Sequence, residues 1–354
     1  MGTESLWEPH TPVRPEPPPP SPPQLPPPVV RRKWYRRPLV VTGLALLVLC
    51  VGGGGLMYLV SERLGDNVTR VQNAFGGLDE ADRPPATGAL TFLLVGTDSR
   101  SENTAAGVEV DGTNSDADVV MVAWVAPDRT NATVVSIPRD SWVDIPTRGS
   151  GRVGGAYAAG GPSLLIRTVE KLTDLRIDHF AVIDFAGFRS MVDVVGGIDV
   201  DPGPTAGPGP SRIHMDGARA LAYVRDPSGI ARGERARRQQ NALRAIFEKA
   251  AAGDTLSDPV RLYDFLDAAS HAMGVDDTLS NGGMRAVALK LSGLRPADVQ
   301  FLRAPIGGLR QGSGGLVMQL DPVRAPELWT ALRQGTVAAY LQQNGRDALG
   351  AVTR

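Results

Sequence analysis

From Leu90 onward, short apolar runs rich in β-branched residues alternate with stretches of helical periodicity. Runs of that length and composition predict strands at Leu90–Gly96, Val119–Val125, Thr133–Ile137, Phe180–Ile183 and Val299–Leu302. Helical patterns fall at Pro162–Leu172, Phe185–Val195, Gly217–Val224, Glu234–Ala251, Asn281–Ser292 and Pro326–Gln334. This alternation predicts an α/β fold with a central sheet. The glycines and prolines between Asp199 and Arg212 mark a loop. No linker-like break or internal repeat follows, so residues 90–354 read as one domain.

The pattern before Leu90 is different. Leu39–Val60 is a run of 22 uncharged residues, preceded by Arg31, Arg32, Lys33, Arg36 and Arg37 with no acid among them. A helix needs roughly 20 apolar residues to cross the hydrocarbon core. Trp34, Tyr35 and Tyr58 stand where interfacial aromatics belong, and the basic flank keeps the N-terminus cytoplasmic. Residues 38–60 therefore read as a single-pass transmembrane helix in the plasma membrane, with everything after Ser61 extracytoplasmic. The rival reading, a signal peptide cleaved near Gly53 and Gly55, requires an unusually long leading segment. Residues 1–37 hold 12 of the 29 prolines and read as a disordered tail. Residues 61–89 read as a juxtamembrane spacer, with a short polar helix near Asn67–Phe75 ended by Pro84 and Pro85.

Composition narrows the chemistry. With 37 basic and 38 acidic side chains in 354 residues, no global charge favours nucleic acid. The single cysteine, Cys50, lies inside the apolar run, which removes disulfides and a thiol nucleophile from the exported part. The four histidines have no metal-ligand spacing, and HExxH, GxSxG and Walker A patterns are absent.

Charge is instead concentrated at predicted strand ends. The first strand runs into Gly96-Thr97-Asp98-Ser99-Arg100, a glycine-opened turn with a carboxylate and a guanidinium. Asp116 and Asp118 precede the second strand, Arg139 and Asp140 follow the third, and Arg152 lies in the loop before Ala156 and Tyr157. From Arg225 to Arg244 there are six basic and two acidic side chains, Arg232, Arg235, Arg237 and Arg238 among them. On a helix Arg235 and Gln239 share a face and Arg237 points elsewhere. Converging guanidiniums suit a pyrophosphate, and nearby carboxylates suit Mg²⁺. A turn closed by a local ion pair and a solvated basic helix face would use the same residues.

Seven ordered segments carry a resemblance to a known family: Phe92–Arg100 (FLLVGTDSR), Val134–Asp140 (VVSIPRD), Ala156–Pro162 (AYAAGGP), Ile177–Phe188 (IDHFAVIDFAGF), Val192–Val200 (VDVVGGIDV), Asp216–Arg225 (DGARALAYVR) and Arg235–Gln240 (RARRQQ). In these segments the chain resembles the LytR-CpsA-Psr cell-wall glycopolymer ligases. The resemblance implies an α/β fold whose central mixed β-sheet is flanked by helices. It implies a phosphotransferase that takes a polyprenyl-pyrophosphate-linked glycan as donor and peptidoglycan as acceptor at the membrane, using Mg²⁺ or Mn²⁺. Asp98, Arg100 and Arg139 then fall at catalytic positions, and Asp98 and Asp118 at the metal. Arg225, Arg235 and Gln239 fall at substrate-binding positions; Arg152 stands there where the family usually has lysine, and Arg232 is a further substrate-binding candidate that would compensate for a lost arginine from the same loop. The chain departs from the pattern around Asp116 and after Arg225, and the acid that follows in the family is not retained around Arg232. Asp116-Ala117-Asp118-Val119 stands where the family has Arg-Ser-Asp-Thr, and Arg225-Asp226-Pro227 where it has Arg-x-Arg. Two other functions would use the same groups: non-catalytic or regulatory binding of a lipid phosphate, and hydrolysis of the same pyrophosphate.

Overall fold

The computed structural model describes residues 61–97, 116–201, 212–226, 234–250, 258–312 and 315–348. The tail and the apolar segment at 38–60 lie outside these, as do Asp98, Arg100, Arg232 and residues 202–211 of the Gly/Pro loop. Among the described residues no helix is long and apolar enough to cross a membrane.

Thirteen strands are described. They are β1 (Thr69–Val71), β2 (Leu90–Thr97), β3 (Ala117–Val125), β4 (Ala132–Ser136), β5 (Trp142–Ile145), β6 (Gly149–Arg152), β7 (His179–Asp184), β8 (Ile198–Val200), β9 (Ile213–Met215), β10 (Met273–Asp276), β11 (Val299–Arg303), β12 (Ile306–Gly312) and β13 (Gly315–Leu320). The longer helices are α1 (Gly155–Thr173), α2 (Phe185–Val194), α3 (Gly217–Arg225), α4 (Glu234–Ala250), α5 (Pro259–Ala272), α6 (Asn281–Leu291), α7 (Arg324–Gln334) and α8 (Val337–Gln343). Seven strands form the main sheet in the order β1-β10-β7-β2-β3-β4-β11. It is mixed: β2 runs parallel to β7 and β4 to β11, whereas β3 is antiparallel to both β2 and β4. Three hairpins, β5–β6, β8–β9 and β12–β13, stand apart from it.

Side chains alternate across the sheet, as period-two strands require. Leu93, Val95, Val120, Val122 and Val135 pack with Leu165, Ile166 and Val169 of α1 and Leu328 and Leu332 of α7 in the main core. Leu94, Val119 and Met121 join a separate cluster that includes Leu243 of α4. Helix α1 extends the expected helix back to Gly155 across a kink at Gly160 and Gly161, where Gly161 adopts φ 64°. Pro162 restarts it, a position where its missing N–H costs nothing. Asp184 caps α2 by accepting from Gly187 N at 2.6 Å, and Asp216 caps α3 by accepting from Arg219 N at 2.8 Å.

The segment read as a spacer belongs to the fold. Residues 61–67 are helical, but Thr69–Val71 forms an edge strand of the main sheet, parallel to β10, in place of the expected polar helix. Val71 and Ala74 are fully buried. Arg83 reaches the buried Glu170 of α1 at 2.7 Å, and Glu170 Oε1 also accepts from Ile177 N at 2.9 Å. The folded unit therefore starts before Leu90. A three-residue strand is too short to show a period, so the sequence hid it.

Candidate functional site

The strand register brings the charged segments to one edge. Thr97 at the end of β2 pairs with Ala117 at the start of β3 and with Asp184 at the end of β7, and Ser136 at the end of β4 pairs with Met121. Strand carboxyl ends of open α/β sheets are the usual ligand side. Beyond β4 the chain turns tightly, with Ile137 N donating to Val120 O and Ser141 N to Pro138 O, each at 2.9 Å. That turn holds Arg139 and Asp140 at the edge. Gly154 fixes it to β3: its N–H donates to Arg139 O at 3.0 Å and its carbonyl accepts from Ala117 N at 3.1 Å. A Cβ at Gly154 would stand 2.6 Å from Ala117 O, so only glycine fits this approach.

Asp118 and Arg139 are thereby neighbours, with Arg139 Nη1 donating to Asp118 Oδ1. Arg235, in the first turn of α4, brings Nη2 to 3.8 Å from the same oxygen. Asp140 lies between the same Arg139, 3.8 Å from its Nε, and Arg152, 3.4 Å from its Nε. Burial, and then the neighbouring charge of Arg139, pull the Arg235 guanidinium below its ordinary pKa. Asp118 and Asp140 oppose this, and Arg225 adds to it. Three arginines thus face two aspartates, and the charge of a fourth, Arg225, acts on Arg235. The Nε atoms of Arg139 and Arg235 are buried without a hydrogen-bond acceptor among the described residues. Buried donors without acceptors are costly, and phosphate oxygens would satisfy them with charge-assisted bonds.

An apolar cavity of about 350 Å³ adjoins this cluster, between the sheet and helices α2 to α5. Leu94, Gly96 and Val119 form its sheet wall, and Phe188, Leu243 and Phe265 are among its helical lining. A Cβ at Gly96 would meet the Val119 side chain at 2.9 Å, so this glycine allows β2 and β3 to pair closely beside the cavity. Polar and apolar regions meet at two lining residues. The Arg225 guanidinium stacks 4.7 Å over the ring of Phe185, and Gln239 sits one helical turn after Arg235.

The structure therefore brings Asp118, Arg139, Arg152, Arg225, Arg235 and Gln239 to one region, while Asp98, Arg100 and Arg232 lie outside the described residues. Arg152 ends strand β6 and is not in a free loop. Arg237 Nη2 lies 3.9 Å from Glu234, its i−3 neighbour on the helix. Asp118 carries oxygens of the hard type that Mg²⁺ favours, with Oδ1 held by Arg139 and approached by Arg235. Among the described residues no three His, Cys, Asp or Glu gather as a metal set. Sequence reasoning missed Asp140 as a brace for two arginines, because its role depends on the return of β6. It also missed the cavity lining, whose residues have the spacing of an ordinary core.

A family model described as the LytR_cpsA_psr family matches residues 65–334. The chain belongs to the LytR-CpsA-Psr family. This LytR-CpsA-Psr chain is 31% identical over 274 residues to the probable cell wall biosynthesis protein LcpB of Corynebacterium glutamicum, covering 72% of its own length and 65% of the relative. It is 27% identical over 244 residues to the polyisoprenyl-teichoic acid–peptidoglycan teichoic acid transferase TagU of Oceanobacillus iheyensis, covering 63% of this chain and 73% of TagU. Its fold is shared with the LytR-Csp2A-Psr enzyme from Actinomyces oris, at a TM-score of 0.58 and 20% identity over 75% of this chain and 95% of that one. The match to the family model begins at residue 65, in agreement with a folded unit that includes β1.

Proposed function

We propose that this LytR-CpsA-Psr chain is a glycopolymer phosphotransferase, attaching a polyprenyl-pyrophosphate-linked glycan to peptidoglycan on the outer side of the plasma membrane. One observation carries the reading: an apolar cavity abuts a cluster of arginines with buried, unaccepted donors. A prenyl chain suits the cavity, and the pyrophosphate suits the guanidiniums. The transferase relative supports the same reaction class.

Arg139, Arg225 and Arg235 would bind and orient the pyrophosphate, with Gln239 and Phe185 at the junction of phosphate and prenyl chain. Arg152 would reach the phosphate from the other side, braced by Asp140. The acceptor hydroxyl oxygen forms the new bond to the sugar-linked phosphorus as the bond to the bridging oxygen breaks. Polyprenyl phosphate leaves with that electron pair, and the hydroxyl proton passes to solvent. Such transfer depends mainly on positioning and charge neutralisation. Asp118, with Asp98, would hold Mg²⁺ or Mn²⁺, whose charge would stabilise the phosphate oxygens. The apolar segment at 38–60 would keep the domain at the membrane that supplies the lipid.

Radiolabelled lipid-linked glycan incubated with the full chain, divalent metal and peptidoglycan tests the proposal. Label on peptidoglycan is the expected result. Label released as soluble phosphorylated glycan alone would indicate pyrophosphate hydrolysis, and saturable binding without product would indicate a non-catalytic binder.

A further inference from the structure

The candidate site lies on the sheet edge between two unlike neighbours. On one side is the apolar cavity under α2 to α5. On the other, Asp140 and Arg152 lead into two hairpins, β5–β6, which packs against α1, and β12–β13, which contacts β5. In phosphoryl transfer the attacking and leaving oxygens lie roughly in line. If the leaving prenyl phosphate occupies the cavity side, the acceptor must approach from the hairpin side. We propose that the paired hairpins β5–β6 and β12–β13 are the docking surface for the acceptor, a peptidoglycan glycan strand with carboxylate-bearing stem peptides. This inference rests on the transfer reaction proposed above.

The two hairpins are fastened to each other and to the site. Met318 N of β13 donates to Asp140 O at 2.9 Å, and Ser141 bridges Met318. Gly312 lets β12 lie on Trp142, since a Cβ there would stand 3.4 Å from the indole and 2.8 Å from Val317 Cγ1. The Arg310 guanidinium stacks on the half-buried Trp142 ring at 5.3 Å. Stacking on an indole holds a guanidinium flat and pre-oriented, with its donor edge available to carboxylates and vicinal hydroxyls.

Arg310 and Gln319 are exposed on the same face of the hairpin, and no acidic residue occurs between Ile306 and Leu320. Guanidinium and amide groups on the acid-free β12–β13 hairpin complement a glycan strand that carries stem-peptide carboxylates, and the one exposed acid of β5, Asp144, is neutralised by Lys171. Asp140 couples this surface to the reaction centre, because its backbone carbonyl holds β13 while its carboxylate braces Arg139 and Arg152.

Binding of the full chain in detergent micelles to soluble, uncrosslinked peptidoglycan strands, measured without lipid donor, tests the inference. Wild-type protein binds, and the double variant Arg310→Ala with Gln319→Ala loses affinity about tenfold, equivalent to roughly 1.4 kcal/mol. Both side chains are exposed, so the variant keeps its fold, checked by an unchanged melting temperature. Arg225→Ala, on the cavity side, leaves strand binding unchanged. Wild type that fails to bind strands, or a double variant that binds as well as wild type, overturns the inference. Loss of polyprenyl-pyrophosphate-glycan affinity in the double variant with strand affinity retained also overturns it, assigning the hairpins to the donor glycan. Failure of the transfer reading looks different: lipid donor gives no product while strand binding stays dependent on Arg310.

Discussion

The two faces of the central sheet are built from the same strands yet are packed differently. Against α1 and α7, Leu93, Val122, Val135, Leu165, Ile166 and Leu332 are fully buried in a continuous core. Against α2 to α5, the neighbouring side chains of those strands line a cavity of about 350 Å³. The helices on that side keep a small core of their own with β8 and β9, including Val192, Ile198, Ala220 and Ala242. They hold their shape without filling the space beneath them. One face is organised for stability, and the other leaves room for an apolar ligand at the price of packing.

The comparison makes distinct predictions for the two faces. Leu165→Ala on the filled face should cost about 2–5 kcal/mol of stability, read by chemical denaturation, because a fully buried leucine leaves a void. Polyprenyl-pyrophosphate affinity of the remaining folded protein should not change. A smaller overall effect is expected from Ala269→Leu on the cavity face, where the added atoms enter existing space. Stability should move by less than about 1.5 kcal/mol, while the affinity for polyprenyl pyrophosphate and for the uncharged polyprenol should fall together. If the stability changes were reversed between the two variants, the distinction between the faces would be wrong.

At the edge between the faces, Arg235→Ala should weaken polyprenyl pyrophosphate binding by roughly 1.5–3 kcal/mol, the worth of charge-assisted hydrogen bonds, and leave polyprenol binding intact. Arg237→Ala should change little, because that side chain faces Glu234. Equal losses from both would point to diffuse electrostatics.

The smallest effect concerns the far edge of the sheet. Burial alone would raise the pKa of Asp276, but the His179 ring 3.4 Å away and hydrogen bonds from Thr278 and the Phe180 N–H outweigh it and leave the carboxyl below its ordinary value. A depressed folded pKa stabilises the fold fully above the unfolded value of about 3.9 and loses that contribution as pH falls through the folded value. Asp276→Asn should therefore narrow the stability difference between pH 6 and pH 3 in denaturation experiments.

Much of this was legible in the chain. The strands at Leu90, Val119, Thr133 and Phe180 and the helices at Phe185, Gly217 and Glu234 stand out because each is long enough to show a period and is bounded by glycine, aspartate or proline. Arg139, Arg225 and Arg235 were visible as charges placed at such boundaries. The sequence hid elements whose partners are distant. β1 gains its place from β10, some two hundred residues later, and the glycine-rich β6 and β12 carry no alternating pattern. The cavity was hidden for another reason. Phe188, Leu243 and Phe265 read as core, and only the tertiary structure distinguishes a lining residue from a filling one.

If the cavity and the arginine cluster bind the two halves of one ligand, both halves will be seen together in one bound molecule. A crystal structure of the protein with polyprenyl pyrophosphate tests it most directly. The prenyl chain is expected between β2–β3 and helices α2 to α5, with phosphate oxygens at the Nε atoms of Arg139 and Arg235 and the Arg225 guanidinium at the junction. A prenyl chain bound elsewhere with the cavity unchanged, or a pyrophosphate remote from Arg139 and Arg235, would contradict it.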